Sequence, residues 1–277
     1  ARAKPIIVLK AGRSSEGAQA AISHTGSLAG NDFVFDAAFK RAGVIRVDTI
    51  EELFNMAKAL AMQPKPSNNR LAIVTNAGGP GVIATDTLIA KGGRLAELSK
   101  ETISELNSHL SPYWSKRNPV DVLGDAGTAQ YSKAVELCAK DKNVDGVLVV
   151  LTPQAMTNPT EVAREVAAIS KNCQKTILAS WMGADDIEGG QKLLEANNIP
   201  VYQAPENAVN CFIQMYDYSR NLSILHETPT QIPQQFKPDK AANEKLIKQV
   251  FDDNRTVMTE FEAKQFLANY QIPVIKN

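Results

Sequence analysis

The run Gly146-Val147-Leu148-Val149-Val150-Leu151 is apolar almost without a break and is flanked on both sides by stretches of helical spacing. A strand with no polar face suits burial on both faces, as in a parallel sheet covered by helices. Its neighbours fit that demand. Residues 71–75, 94–98, 146–151, 176–180 and 199–202 read as strands. Helices are expected over about 82–91, 100–109, 128–140, 158–171 and 186–196, with a closing helix from Pro205 to about Arg220. Strictly alternating strands and helices predict an α/β fold with a doubly wound parallel sheet.

Five strands with one crossover each imply the flavodoxin-like order 2-1-3-4-5. Residues 1–62 carry a shorter version of the plan. A short apolar run lies around Ile6–Leu9, a helix is expected over 31–42, Gly43 supplies its C-cap, and residues 44–47 form a strand. Asp48 or Thr49 caps a further helix in which Ile50, Leu53, Phe54, Ala57, Leu60 and Ala61 make the apolar stripe. Two strands match the last two of such a module, so the reading is one complete module plus a partial one. The expected domains are therefore 1–62, a linker at 63–70 containing two prolines, 71–220, a Pro- and Gln-rich linker at 221–240, and a helical start at 241–277. In that last part Thr259-Glu260-Phe261-Glu262 has a capping-box pattern, and Ile272-Pro273-Val274 reads as the beginning of a strand.

Two loops of small residues stand where such sheets bind ligands. Ser23-His24-Thr25-Gly26-Ser27-Leu28-Ala29-Gly30 reads as a loop directly ahead of the 31–42 helix, whose free N–H groups and dipole favour an anion. Neutral imidazole is a competent nucleophile near pH 7, so His24 is a candidate phosphoryl carrier. Asn76-Ala77-Gly78-Gly79-Pro80-Gly81 follows the first strand of the complete module. No Lys-Ser/Thr follows it and the G-x-G-x-x-G spacing is absent, so it is neither a Walker loop nor a dinucleotide fingerprint. On its residues alone it reads as a tight turn.

Lys10-Ala11-Gly12-Arg13 followed by the His24 segment resembles the phosphohistidine region of the NDP-forming acyl-CoA synthetases (ADP-forming acetate–CoA ligase type), relatives of succinyl-CoA synthetase. The resemblance implies an enzyme interconverting acyl-CoA, ADP and phosphate with acid, CoA and ATP, with His24 as the catalytic carrier. It implies phosphate binding by Gly26 and Ser27 in the first loop and by Asn76, Gly78, Gly79 and Gly81 in the second, where two helix N-termini face one phosphohistidine. It also makes residues 259–274 similar to the opening of an ATP-grasp domain. CoA, ADP or ATP, and Mg are implied for the full-length enzyme, and none is expected within these residues. Its partners are then the CoA-binding and ATP-grasp parts, with a homo-oligomer as a further option. The start on a strand without an initiator Met is read as an internal piece of a longer protein, inactive by itself. The competing reading is a ligand-sensing region of a protein lysine acetyltransferase built on the same domains; retention of the nucleophile favours the ligase. A flavin carrier is disfavoured by the absence of an aromatic pair to sandwich the ring.

Composition narrows the partners. Thirty basic and thirty acidic residues among 277 leave no net charge, so nothing calls for nucleic acid or an anionic membrane. No apolar run approaches the roughly 20 residues of a membrane span, and a cytoplasmic location is expected. Cys138, Cys173 and Cys211 are widely spaced and show no metal-ligand pattern, so no metal is assigned. Asn118-Pro119-Val120-Asp121 reads as a structural turn inside an irregular stretch, 111–127. Trp181-Met182-Gly183 reads as packing, Asp185, Asp186 and Glu188 as a solvated helix start, and His109 and His226 have no partners at ligand spacing. The glutamate that the family uses to orient its phosphohistidine is not assigned to Glu16 by proximity.

Overall fold

The structure, a computed structural model, describes residues 4–25, 31–226 and 237–275. Two compact units divide the chain, residues 1–226 and 227–277. The strands are β1 (Ile7–Leu9), β2 (Ile45–Val47), β3 (Arg70–Thr75), β4 (Arg94–Leu95), β5 (Val120–Asp121), β6 (Gly146–Leu151), β7 (Thr176–Trp181) and β8 (Val201–Tyr202). The helices of the first unit are α1 (Ser15–Thr25), α2 (Asp32–Ala42), α3 (Ile50–Met62), α4 (Gly78–Ala90), α5 (Lys100–His109), α6 (Thr128–Lys140), α7 (Pro159–Lys171), α8 (Glu188–Ala196) and α9 (Pro205–His226). Side-chain caps start several of them. Asn31, Thr49, Ser99 and Asn158 each accept a hydrogen bond from a first-turn N–H, and Gly43 closes α2 at φ 67°.

The large sheet runs β4-β3-β6-β7-β8, all parallel, which is the expected 2-1-3-4-5 order. Alternate residues serve opposite faces. Ala72, Val74, Val147, Val149, Leu151, Ile177 and Ala179 join the core under α5–α8, whereas Leu71, Ile73, Leu148, Val150 and Leu178 join the core with α4 and α9. Every residue of β6 is buried, as its unbroken apolar run requires. Gly146 opens that strand because Phe212 of α9 presses on it: a Cβ there would lie 2.5 Å from the ring.

A sixth strand enters this sheet where the sequence predicts irregular chain. β5 pairs with β3 at Val74 and Thr75, whereas β4 pairs with it only at Arg70 and Leu71. The Asn118 side chain fills the gap between them. Its Oδ1 accepts from Ile73 N (2.9 Å), and its Nδ2 donates to Leu71 O (2.8 Å) and Ala96 O (3.0 Å). One amide thus replaces a strand residue on a buried edge, which gives the structural reading of Asn118 its physical content.

Residues 1–62 form a separate parallel pair, β1-β2, with Ile7 opposite Ile45 and Leu9 opposite Val47. They sit against the large module through α3, which packs on both β1 and α9. Here the expected α3 stripe needs correction. Leu53 and Leu60 of that stripe pack partly buried against the core, but Ile50 and Phe54 are largely exposed and the fully buried residues are Met56 and Ala59, because the direction of α9 sets which face is covered. Polar ties follow the same seam: Lys58 Nζ to Glu195 (2.7 Å), and Gln63, which donates to Asn198 O and accepts from Ile177 N. The Pro-containing stretch that follows is stitched down as well. Arg70 holds Asp145 through Nε (2.7 Å) and Nη2 (3.0 Å), while Thr176 Oγ1 donates to Pro64 O.

Sequence reading missed α1 entirely and stopped α9 too early, since the helix continues to His226. In the second unit, α10 (Lys240–Asp252) and α11 (Glu260–Asn269) are joined by Asn243, whose Nδ2 donates to Phe266 O. The Thr259–Glu262 capping box is present, and Arg255 grips Glu262 at 2.8 and 2.9 Å, so the Glu262 carboxyl is pulled down to about 2. Residues 272–274 are not a strand.

Replacing Asn118 with Ala leaves Ile73 N without its acceptor on a buried edge and takes a donor from Ala96 O, whereas Leu71 O keeps the Ala96 N–H. Denaturant unfolding is expected to show a loss of about 3 kcal/mol. A second test concerns pH. Burial by itself would raise Asp145, but the Arg70 side chain and backbone N–H outweigh it and hold the carboxyl below its usual value. A lowered folded pKa gives stability that is present above the unfolded carboxylate range, about pH 4, and is lost as pH falls through the folded value. Melting curves of Asp145→Asn should therefore sit lower than the parent at pH 7 and fall less steeply below pH 4.

Candidate functional site

The carboxyl end of β3 turns directly into α4. Thr75 Oγ1 accepts from Ala77 N (3.0 Å) and donates to Ala77 O (2.8 Å), closing the turn on itself. The Asn76 side chain is buried and bridges to β6: Nδ2 donates to Thr152 O (2.8 Å) and Oδ1 accepts from Thr152 N (2.9 Å). Both ends of that amide are occupied by the Thr152 backbone. Asn76 is a clamp that holds the turn on the sheet.

α4 then begins with Ala77 as its N-cap and no side-chain cap hydrogen bond. Gly78 and Gly79 are exposed, so their N–H groups and the positive end of the dipole face outward, while Pro80 brings no donor. The three glycines do different work. A Cβ on Gly81 would come within 3.0 Å of Thr75 Cγ2, so this glycine lets helix and strand approach; one on Gly79 would meet nothing within 4 Å. Sequence reading gave Asp121 no role at this turn. Its Oδ1 accepts from Leu123 N, and its Oδ2 lies 3.4 Å from where a Gly78 Cβ would stand, which places a carboxylate beside the helix start.

The other loop is partly helix. Ser23, His24 and Thr25 form the end of α1, contrary to the expected loop, while Gly26 and Ser27 lie outside the described residues. Ser14 starts α1, accepting from Gly17 N at 3.0 Å. Glu16 is eight residues before His24, about 12 Å along the axis. Lys10 and Arg13 of the Lys10–Arg13 motif converge on Asp32 at the start of α2, at 3.4 and 3.5 Å, and Arg46 reaches the same carboxylate at 2.5 Å. The Arg46 hydrogen bond holds Asp32 below its usual pKa. These cations therefore tie the β1–α1 turn to α2. Asp32 and Arg46 were not singled out in the sequence, because an ion pair across 14 residues leaves no local pattern.

Residues 1–60 match the succinyl-CoA ligase like flavodoxin domain, and residues 71–226 match the Ligase-CoA domain. The chain belongs to the ADP-forming acyl-CoA synthetase family. It is 38% identical over 276 residues to 4-hydroxybutyrate–CoA ligase (ADP-forming) of Nitrosopumilus maritimus, covering 99% of this chain and 38% of that protein. It is 42% identical over 224 residues to the alpha subunit of acetate–CoA ligase (ADP-forming) II of Pyrococcus furiosus, covering 79% and 49% respectively. A solved structure of dinucleotide forming acetyl-coenzyme A synthetase 1 from Ca. Korarchaeum cryptofilum, in complex with phosphate and ADP, superposes with a TM-score of 0.78 at 33% identity, over 83% of this chain and 50% of that one. The chain thus spans half the length or less of these relatives.

The unequal roles of the glycines are separable. Gly81→Ala should destabilise by about 1–2 kcal/mol through overpacking against Thr75. Gly79→Ala should melt within about 2 °C of the parent, because its Cβ enters open space. Thermal denaturation of the two variants side by side checks this.

Proposed function

We propose that this chain is the CoA-ligase portion of an enzyme converting acyl-CoA, ADP and phosphate to free acid, CoA and ATP, with His24 as transient phosphoryl carrier. The observation that carries the reading is the α4 start: a helix whose first N–H groups are exposed and uncapped, at the carboxyl end of a parallel sheet, in a chain that also holds the Ser23–Gly30 motif. Phosphate adds to the thioester carbonyl and expels CoA as its thiolate, leaving an acyl phosphate; an imidazole nitrogen of His24 then attacks its phosphorus, and the P–O bond to the carboxylate breaks as the acid departs. The phosphoryl group then leaves that nitrogen for the terminal oxygen of ADP. While it resides there, Gly78 and Gly79 N–H groups, with Gly26 and Ser27, supply donors for its charge, and a preorganised set of donors needs no rearrangement during transfer. Gly81 contributes by letting α4 sit tightly on β3.

Mg and nucleotide are assigned to an ATP-grasp part, of which residues 241–277 form the beginning. The described residues hold no cluster of carboxylates or imidazoles that fits a metal. The relatives named above act on acetate and on 4-hydroxybutyrate, so the substrate class is a short carboxylic acid. A cytoplasmic location is part of the same reading, because CoA and ADP are drawn from that pool. The relatives are ligases, and no observation on the fold favours an acetyltransferase-linked sensor.

With γ-labelled ATP and Mg, the full-length protein is expected to take up acid-labile, base-stable phosphate. His24→Ala and His24→Asn should both lose it, since an amide can hydrogen-bond but cannot accept a phosphoryl group. Label that persists in either variant would overturn the assignment.

A further inference from the structure

A groove of about 940 Å³ runs between α6 and α7, far along the chain from the α4 turn, at the end of the sheet where β7 begins. It has the size of a small-molecule site. Ala129, Ala168 and Ile169 give it an apolar wall, and Lys133 and Lys140 stand on its rim, both paired with Glu136. Two nucleophiles open into it, Cys173 and Lys175, from the short segment that joins α7 to β7.

These two differ from their counterparts elsewhere in the chain. Cys138 and Cys211 are sealed in the cores, and burial pushes their thiols up to about 12 and about 11, which keeps them inert. Cys173 is only half-buried and folds onto the peptide of Lys175, with its Sγ accepting from Lys175 N at 3.4 Å. Lys175 is half-buried as well and has no carboxylate in ion-pair contact among the described residues; its ammonium instead donates to the Asp141 carbonyl. Burial lowers its pKa, which enlarges the neutral, nucleophilic fraction.

We propose that the α6–α7 groove takes an acyl-CoA thioester and that Cys173 and Lys175 form a self-acylation site, with acyl transfer from sulfur to nitrogen. The Cys173 sulfur adds to the thioester carbonyl, the bond from that carbon to the CoA sulfur breaks, and the thiol proton passes to the departing CoA sulfur. The neutral Lys175 amine then adds to the Cys173 thioester. The carbon–sulfur bond breaks, the departing sulfur takes the proton from the amine, and an amide remains on Lys175. The net change is acyl-CoA plus lysine to acyl-lysine plus CoA, with Cys173 restored. The donor is the thioester of the proposed ligase reaction, but the test supplies it directly, so failure here leaves the ligase reading standing and the reverse also holds.

The full chain, incubated with acetyl-CoA and digested, is to be examined by mass spectrometry for acetyl groups on Lys175 and on the exposed Lys142 and Lys192 as internal controls. Lys175 should acetylate at least about tenfold faster than the controls, since a neighbouring thioester turns a bimolecular step into an intramolecular one. Cys173→Ser should bring Lys175 down to the control rate and leave Lys142 and Lys192 unchanged. Lys175→Arg should accumulate a hydroxylamine-sensitive acetyl group on Cys173. Acetylation of Lys175 at the control rate, an unchanged rate in Cys173→Ser, or a Cys173 thioester in the parent with no amide on Lys175 would each overturn the proposal.

Discussion

The central strands β3, β6 and β7 are buried on both faces, so the fold depends on covering both sides of their sheet. On one side α5–α8 suffice. On the other, α9 does most of the covering, and its far surface is then met by α3. Phe212, Val209 and Met215 of α9 share one core with Leu148 and Leu178 of the sheet and with Met56 and Ala59 of α3. A single helix thereby joins a complete module to a two-stranded one. Burying these side chains contributes about 1.5–3 kcal/mol each, far more than the ion pair of Lys58 or the amide of Gln63 along the same seam.

That packing fixes the α4 turn by a different means. β3 must keep its register to its last residue, yet β4 leaves it after two residues. The Asn118 amide and β5 carry the edge onward, and the Asn76 amide locks the opposite side to Thr152. The turn is therefore held on both flanks by side-chain amides that complete backbone pairing. Its helix can start with bare glycines because those amides, and not a cap, hold it in place. A rigid, uncapped helix start is what an anion site needs, since donors that are already oriented lose little entropy when the anion arrives.

Electrostatics in the small module follows a second logic. Lys10, Arg13 and Arg46 converge on Asp32, with Asp48 also holding Arg13 and Asp36 standing near Arg46, so cations that look available in the sequence are paired within the fold. Their role is to set the entry of α2 relative to β1. In the proposed reaction the donors for a phosphoryl group are backbone N–H groups at a helix start, which do not titrate. Asp121 beside Gly78 opposes their positive potential locally.

Much of this was legible in the sequence. Period and length identified the parallel sheet, five βα units suggested the flavodoxin-like 2-1-3-4-5 order that the structure has, and Thr259–Glu262 announced its own cap. The Gly78–Gly81 segment was visible because glycines cluster where a helix starts bare and close against a strand, and the His24 segment because of its motif. Other features had no local signature. α1 is built on Gly17 and alanines, with too few large apolar residues to show a stripe, and it forms where Ser14 caps it and Gly12 packs close to Ala18. β5 is two residues long and exists because Asn118 holds the chain against β3. The buried side of α3 was partly misread because amphipathic spacing offers several faces and only the approach of α9 selects one. The sequence by itself determined which segments could be strands or helices, since that depends on neighbours a few residues away. The tertiary structure alone decided which amides complete a sheet edge, which cations are neutralised and which helix faces are covered, because each of those depends on groups that meet across tens of residues of chain.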